Sequence, residues 1–404
     1  MTTLCYTFCV SYIVIVFLFF VLTARKGGFF LLSPLLIIYV PFITGDLLPA
    51  LFYARTDALP DNVQYVLIST IAVYVIFLLL YYKQFSTQNR VTLDIPEIWT
   101  TNKYVFRRKV FFIVLAGIFL LTGLITGVTK GLLTGADVED LRRSSEIGIG
   151  FLRDIPLVGI NVILLVYLIS YCRKKIVKAA FICLSFAVFS FLVTGHKAGF
   201  WDAALLFTFY FCSSYRNLKW YEVAAYYSVM PVFAGLLQTI RQGTNNFVEH
   251  IIFYTNYSTV LFEANTLAVM RYFESGSNFY WGEQYVAGLV KFIPRFLWKD
   301  KPLSFDYTLK NLIGYEFDGG GTPISTPFSM FINFGYYNFI GLAIWLWIVH
   351  SIYGMLIDNS KTAYLKIALL FSLIFAVDLF LGRLEIMLLF LLVCMFVYGR
   401  KKMV

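Results

Sequence analysis

Residues 63–82 read VQYVLISTIAVYVIFLLLYY, an apolar stretch without a charged side chain. About 20 apolar residues are enough for a helix to cross the hydrocarbon core of a bilayer. Further apolar runs lie at about 4–22, 29–53, 110–127, 155–171, 176–193, 199–213, 220–240, 324–356, 364–380 and 384–398. The pattern predicts an all-α, polytopic integral membrane protein of about 11 transmembrane helices. These helices form a single transmembrane domain over residues 1–404.

The composition of the whole chain agrees with a membrane location. Of 404 residues, 59% are hydrophobic and 14% are charged, and the mean hydropathy is +0.75. A soluble domain is about 45–50% apolar and about 25% charged, so this chain has more apolar surface than a soluble core can hide. A soluble enzyme and a nucleic-acid-binding protein are excluded, although the net charge is +10. The six cysteines lie in or beside apolar runs without a C-x-x-C pair, which supports neither a disulfide framework nor a zinc site.

The distribution of lysine and arginine predicts the orientation, because basic residues in short connections stay in the cytoplasm. Alternate connections hold 19 of the 33 basic residues and only 4 of the 23 acidic ones. The cytoplasmic face is therefore strongly positive, and the charge excess needs no acidic partner. The C-terminus lies in the cytoplasm. With an odd number of spans, the first run is a retained span whose N-terminus lies outside.

The predicted outer face contains one connection that is much longer than helices need. Outer connections lie at about 44–62, 128–154, 194–198, 241–323 and 381–383. The long one, 241–323, is expected to form a large periplasmic loop and to hold the function. Within it, residues 249–273 (EHIIFYTNYSTVLFEANTLAVMRYF) mix apolar and polar positions at helical spacing. This segment predicts an amphipathic helix at the interface or packed over the bundle.

Motifs for nucleotide chemistry are missing from the sequence. It has no G-x-x-x-x-G-K-[ST], G-x-G-x-x-G, H-E-x-x-H or D-x-D motif, and the cytoplasmic connections are too short for a nucleotide-sugar domain. An enzyme of this kind is expected to act at the outer face, without a cofactor or metal, on substrates that arrive activated and membrane-anchored. The alternative class is a carrier for lipid-linked oligosaccharide. A carrier is expected to place ionisable residues near the bilayer midplane, where the sequence places almost none.

Basic residues collect near the outer membrane surface, as a lipid-pyrophosphate site requires. Arginine forms bidentate hydrogen bonds to phosphate oxygens. An alternative explanation is that each cation reaches up to lipid headgroups. The segment KFIPRFLWKDKP, residues 291–302, is the most distinctive, because prolines interrupt a helix at each end and cations alternate with aromatic residues. The outer-face cations are Arg142, Arg143, Arg153, Lys197, Arg241, Arg271, Lys291, Arg295, Lys299, Lys301 and Arg383.

The chain resembles the Wzy-type oligosaccharide repeat-unit polymerases, also called O-antigen polymerases. The residues that carry the resemblance are a T-G-x-[RK]-like turn at 194–197, the arginine of RQG at 241–243, an I-P-R-x-x-W-x-x-K-P-like segment at 293–302 and the Gly- and Ser/Thr-rich stretch at 319–335. An R-x10-G pattern runs from Arg271 to Gly282. The turn departs from the family pattern in carrying His196 where a small residue is common. The hydropathy match covers nearly the whole chain, and the motifs cover residues 194–335.

The resemblance implies glycosyl transfer at the periplasmic face of the bacterial inner membrane. A growing glycan moves from its undecaprenyl pyrophosphate carrier to a newly flipped lipid-linked repeat unit. The family is similar to the membrane glycosyltransferases that use lipid-phosphate donors. Membrane lipids and undecaprenyl-pyrophosphate-linked glycans are the implied partners, a chain-length regulator protein of the pathway is a further candidate, and nucleic acid is not one.

The outer-face charged residues and the family resemblance together indicate candidate site residues. Cations stabilise the charge that develops on the departing pyrophosphate, and a base takes the proton of the attacking hydroxyl. The expected catalytic residues are Arg241, Arg295, His196 and Asp202, and the expected substrate-binding residues are Lys197, Lys299, Lys301, Arg271 and Arg383. Glu263 and Glu385 are further candidates for the base, whereas His250 and His350 are assigned structural roles. A ligase that joins finished glycan to lipid A core shares the donor and topology, so it remains an alternative.

Overall fold

The computed structural model describes most of the chain up to residue 358. The described residues are 2–30, 33–54, 59–86, 175–194, 198–242, 245–274, 279–283, 298 and 324–358, with scattered residues between 114 and 172 and residues 366 and 369. This part of the protein is mostly helical and contains no β-strand. The all-α prediction is therefore confirmed for the described residues.

The helices follow the apolar runs of the sequence. The first group is α1 (Thr3–Lys26), α2 (Leu35–Tyr53), α3 (Asp61–Leu80) and the short α4 (Tyr82–Ser86). The second group is α5 (Ile176–Thr194), α6 (Ala198–Ser214), α7 (Trp220–Gln242), α8 (Phe247–Thr255) and α9 (Tyr257–Glu274). The last group is α10 (Thr326–Phe334), a 3-10 turn (Gly335–Tyr337) and α11 (Asn338–Ile357).

The described helices are those of a membrane-embedded protein. Five stretches are long and apolar enough to cross a membrane: Thr3–Lys26, Leu35–Tyr53, Asp61–Leu80, Trp220–Ile240 and Thr326–Ile357. The predicted runs at 110–127, 155–171 and 364–380 are described at scattered positions only, and the run at 384–398 lies outside the described residues. One of those positions, Lys366, lies in the run at 364–380 and is helical and 1% exposed.

Helix α1 shows which side chains of an apolar helix face the protein core and which face lipid. Its buried positions, Cys5, Cys9, Tyr12, Val16 and Phe19, recur every three or four residues and form one stripe, which packs against α3. The other faces are as apolar as the stripe and exposed, which suits lipid rather than water. Arginine and lysine in the last turn complement the negative end of the helix dipole.

Contacts between helix ends agree with the predicted alternation of faces. Phe29, after α1, and Leu218, before α7, exchange two backbone hydrogen bonds of 2.7 and 2.8 Å, so two connections predicted on the cytoplasmic face lie side by side. At the predicted outer face, the backbone nitrogen of Thr2 donates to Gln64 Oε1 (2.8 Å). There the Tyr65 hydroxyl also donates to the carbonyl of Tyr336 (2.6 Å).

Helix α2 is irregular in a way that its apolar sequence did not indicate. Two π-helical segments, Leu35–Tyr39 and Ile43–Leu47, interrupt it. Such bulges are rare and are frequent at functional sites. The helix ends at Tyr53, as the apolar run at 29–53 predicts, so the outer connection predicted at about 44–62 was placed about ten residues too early. Asp46 therefore lies inside a membrane-spanning helix rather than in a loop.

The run predicted as one span at 324–356 is two helices. Gly335 has φ +57° and ψ −134°, a conformation that only glycine adopts readily. A Cβ on Gly341 would lie 2.9 Å from the sulfur of Met330, which shows that α10 folds back against α11. The segment 279–283 covers the junction, because the backbone nitrogen of Trp281 donates to the carbonyl of Asn333 (2.8 Å).

The predicted amphipathic helix at 249–273 is likewise two helices, α8 and α9, separated at Asn256. Helix α8 folds back along α7, where His250 Nδ1 lies 3.0 Å from the Thr239 hydroxyl. Gly235 allows this close approach, since a Cβ there would lie 2.9 Å from Ile251. Helix α9 packs against α2, α3 and α10. This part of the long loop therefore lies against the bundle.

Candidate functional site

Asp46 is the most unusual polar residue in the described bundle. It lies in the second π-helical segment of α2 and is 4% exposed. Its Oδ1 has no hydrogen-bond partner, and no ion pair joins it among the described residues. A buried carboxyl group without a partner is costly, and an ionisable residue within a membrane span is a candidate functional residue by default.

The amino end of α10 faces this carboxylate. Ser325, the residue before α10, places its buried hydroxyl beside Asp46 without completing a hydrogen bond in the described part of the chain. The first N–H groups of a helix and its dipole favour a negative group at this position. We call Asp46, Ser325 and the adjoining first turn of α10 the Asp46 site.

Helix α9 covers the segment that carries Asp46. It packs against Ile43–Leu47 and buries Asn265 and Thr266, whose Oγ1 has no partner among the described residues. An outer-loop helix thus brings further polar groups to the same segment of α2.

Aromatic contacts hold α9 in place. The Phe262 ring lies 6.3 Å from Tyr53 and 5.9 Å from Phe328, while Phe273 lies 5.6 Å from Phe331. Burial raises the pKa of Tyr272, also on α9, to about 12. Its hydroxyl therefore remains protonated at neutral pH.

A packed aromatic cluster joins the Asp46 site to the opposite end of the bundle. Tyr74 lies within electrostatic range of Asp46, and its ring centroid is 5.3 Å from that of Tyr39. The Tyr39 hydroxyl lies 2.7 Å from His350 Nε2, and the His350 ring stacks on Tyr81 at 4.3 Å. Buried rings therefore occupy the path from Asp46 towards the predicted cytoplasmic face.

The hydrogen bonds of His350 fix its tautomer. Gln84 Nε2 donates to the backbone carbonyl of His350 (3.1 Å), which turns Gln84 Oε1 towards His350 Nδ1 (3.0 Å). Because Oε1 can only accept, Nδ1 carries the hydrogen and Nε2 accepts from Tyr39. His350 is thus neutral and joins α2, α4 and α11. Its contacts agree with the structural role assigned from the sequence, as do those of His250.

Three residues proposed from the sequence are described with their side chains. Asp202, near the amino end of α6, is half-buried, and its Oδ2 accepts a hydrogen bond from Asn161 Nδ2 (2.9 Å). Glu263 and Arg271 are exposed on α9. They lie on the helix that covers the Asp46 site but outside its buried face.

The other sequence-proposed residues lie outside the described part of the protein. Helix α5 ends at Thr194 and α6 begins at Ala198, as the predicted turn requires, and α7 carries the backbone of Arg241 in its last turn. The side chain of Arg241 is not among those described. Also outside the described residues are Arg142, Arg143, Arg153, His196, Lys197, Lys291, Arg295, Lys299, Lys301, Arg383 and Glu385. From the sequence we expect the long loop to enclose a cleft with the turns at 194–198 and 381–383, and residues 195–197 and 381–383 of these turns also lie outside the described residues.

Sequence reasoning missed Asp46 and Ser325. The signal was present in VPFITGDLLP, residues 40–49, where one carboxylate and two prolines interrupt an apolar run. Ser325 lies within the stretch 319–335 that was already noted. Among the described residues, no group of three or more histidine, cysteine, aspartate or glutamate side chains is suited to hold a metal ion.

Comparisons with protein-family models, with curated proteins and with solved structures find no match to this chain.

Proposed function

We propose that this protein is a glycosyltransferase of the repeat-unit polymerase kind. It transfers glycans from undecaprenyl pyrophosphate to lipid-linked repeat units at the periplasmic face of the bacterial inner membrane. The protein has about 11 spans and a large periplasmic loop. O-antigen or a related surface polysaccharide is the product. The observation that carries the proposal is the packing of the loop helix α9 over the buried Asp46 and the amino end of α10.

This arrangement supports an enzyme that works from one side of the membrane. The loop supplies the cations expected to bind pyrophosphate, such as Arg271 on α9. The site beneath the loop contains a carboxylate and hydroxyl groups, and aromatic rings occupy the path to the other face. A polymerase needs this asymmetry, because both of its lipid-linked substrates reach it from the outer leaflet.

The chemistry assigns a separate task to each group. Breaking the anomeric pyrophosphate bond develops positive charge on the sugar and negative charge on the leaving group. Arg241 and Arg295 stabilise the pyrophosphate, and Lys197, Lys299, Lys301, Arg271 and Arg383 hold the lipid-linked substrates. The pyrophosphate leaves without a general acid. The acceptor hydroxyl needs a base, for which His196 and Asp202 were the candidates from the sequence.

A carrier for lipid-linked oligosaccharide is the second candidate function, and one observation favours it. Asp46 and His350 lie inside the bundle, although the sequence placed almost no ionisable group there. Broken helices with buried polar groups are typical of transporters. Against this, both ring nitrogens of His350 are engaged in fixed hydrogen bonds.

The surface polysaccharide of a deletion strain separates the candidate functions. Loss of a polymerase leaves lipid A core capped with single repeat units, because flipping and ligation continue. Loss of a carrier or a ligase leaves bare core. Single-repeat caps that return to long chains on complementation are the expected result, and bare core would contradict the proposal.

A further inference from the structure

We propose that Asp46 is the general base that takes the proton from the acceptor hydroxyl. This inference rests on the proposed function and assigns a step of that reaction to a residue that the sequence motifs do not include. The base is then part of the membrane bundle, while the cations that receive the leaving group belong to the loop.

The hydrogen bonding of Asp46 and Asp202 favours Asp46 as the base. A base needs a lone pair that is available to the incoming O–H group. Asp202 Oδ2 already accepts from Asn161. The Oδ1 of Asp46 accepts no hydrogen bond from any described residue, although Asp46 is almost completely buried. A sugar hydroxyl would supply the donor that this oxygen lacks.

The surroundings of Asp46 suit a sugar hydroxyl better than a cation. The amino end of α10, with its partial positive charge, and the Ser325 hydroxyl lie on one side of the carboxylate. A metal ion would be repelled by that helix end, whereas a hydroxyl donor would not. The Ser325 hydroxyl interacts with the carboxylate and has no other partner among the described residues, so a hydroxyl group is present to orient a sugar.

The described residues leave space next to Asp46. A Cβ built on Gly45 would have no atom of the described residues within 4 Å, and Thr44 is exposed. The π-helical segment breaks the regular spacing of α2 at this position. We infer that the acceptor sugar enters beside Gly45, under the edge of α9.

The proton balance of the step is simple. The acceptor O–H bond breaks and its proton moves to Asp46 Oδ1. The acceptor oxygen forms a bond to the anomeric carbon of the donor. The carbon–oxygen bond to the pyrophosphate breaks, and its electron pair leaves with the pyrophosphate. Asp46 then releases the proton to water at the outer face, and no oxidant or further reactant is needed.

The test compares Asp46→Asn with Asp61→Asn in the full-length purified protein. Asparagine preserves the size of the side chain but cannot take the proton. Asp61, in the exposed first turn of α3, provides a matched substitution at the same predicted face. Glycan extension from synthetic lipid-pyrophosphate-linked repeat units is measured together with donor binding and thermal stability. We expect kcat to fall by about 10²-fold or more in Asp46→Asn, with donor binding unchanged and Asp61→Asn equal to the wild type.

A second variant leaves the carboxylate in place. Gly45→Leu fills the space beside Asp46, and we expect it to raise the acceptor KM more than the donor KM. Wild-type kcat in Asp46→Asn, or unchanged acceptor KM in Gly45→Leu, would overturn the assignment while leaving the polymerase proposal intact. A wild-type protein that extends no glycan would instead overturn the proposed function, and this inference with it.

Discussion

Replacing Gly335 with alanine tests the reversal that brings the amino end of α10 to Asp46. Two costs follow from the structure. The backbone conformation at Gly335 costs a residue with a Cβ about 1–3 kcal/mol. The new Cβ would also lie 2.4 Å from the Cε2 and Cζ atoms of the Phe279 ring, and overpacking of this kind costs about 1–3 kcal/mol. Together, Gly335→Ala is expected to lower the free energy of unfolding by about 2–6 kcal/mol.

A double-mutant cycle separates the two costs. Removing the ring with Phe279→Ala relieves the steric cost but not the backbone cost. In the Phe279→Ala protein, Gly335→Ala should therefore lower the free energy of unfolding by only about 1–3 kcal/mol. Gly117→Ala is the control, because a Cβ there meets no atom of the described residues within 4 Å. Urea unfolding in detergent micelles, followed by circular dichroism, gives each free energy. If Gly335→Ala is as stable as Gly117→Ala, α10 and α11 form one continuous helix and the Asp46 site is not built as described.

Two further predictions concern the cations and the packing of the long loop. Arg241→Ala or Arg295→Ala should remove about 2.7–4 kcal/mol of transition-state stabilisation and abolish chain extension in cells, while Lys401→Ala has no effect; wild-type chain lengths at equal membrane abundance would make both arginines headgroup anchors. Gly235→Ala should destabilise the protein by about 1–3 kcal/mol because α8 lies directly against α7, whereas Gly117→Ala should not. Equal unfolding free energies for these two variants would show that α8 does not pack there.

The sequence predicted the bounds of two apolar helices closely because apolar composition is a local property of the chain. The run at 176–193 is the helix Ile176–Thr194, and the run at 199–213 is Ala198–Ser214. Both ends of each helix fall where apolar residues give way to polar ones. The pairing of helix ends agrees with the charge pattern, as the bridge between Phe29 and Leu218 shows.

The sequence did not predict features that depend on contacts between distant segments. The reversal at Gly335 is completed by Phe279 and Trp281, which precede it by more than 50 residues. Asp46 is buried because α9 and the amino end of α10 pack against its helix. Hydropathy averages over such a position, so the apolar run at 29–53 contained Asp46 without marking its carboxylate as unusual.

The candidate site was predicted only in its general location. The long loop between Arg241 and residue 323 was expected to lie against the bundle, and the described part of it, α8 and α9, does so. The candidate bases were His196, Asp202, Glu263 and Glu385, and Asp46 was not among them although it lies within the predicted outer connection at 44–62. The loop cations come from motif resemblance, and their roles remain predictions.

Glycan extension by the purified protein tests the proposed function most directly. The detergent-solubilised wild type is incubated with undecaprenyl-pyrophosphate-linked repeat units and EDTA, without nucleotide. Cations near the pyrophosphate supply the charge that Mg²⁺ would otherwise bring, so a ladder of products differing by one repeat unit is expected, with the same spacing and rate without chelator. A ladder that disappears with EDTA and returns with Mg²⁺ would contradict the arginine-centred mechanism. Unextended substrate under every condition, with movement of the same lipid across proteoliposomes, would identify a carrier instead.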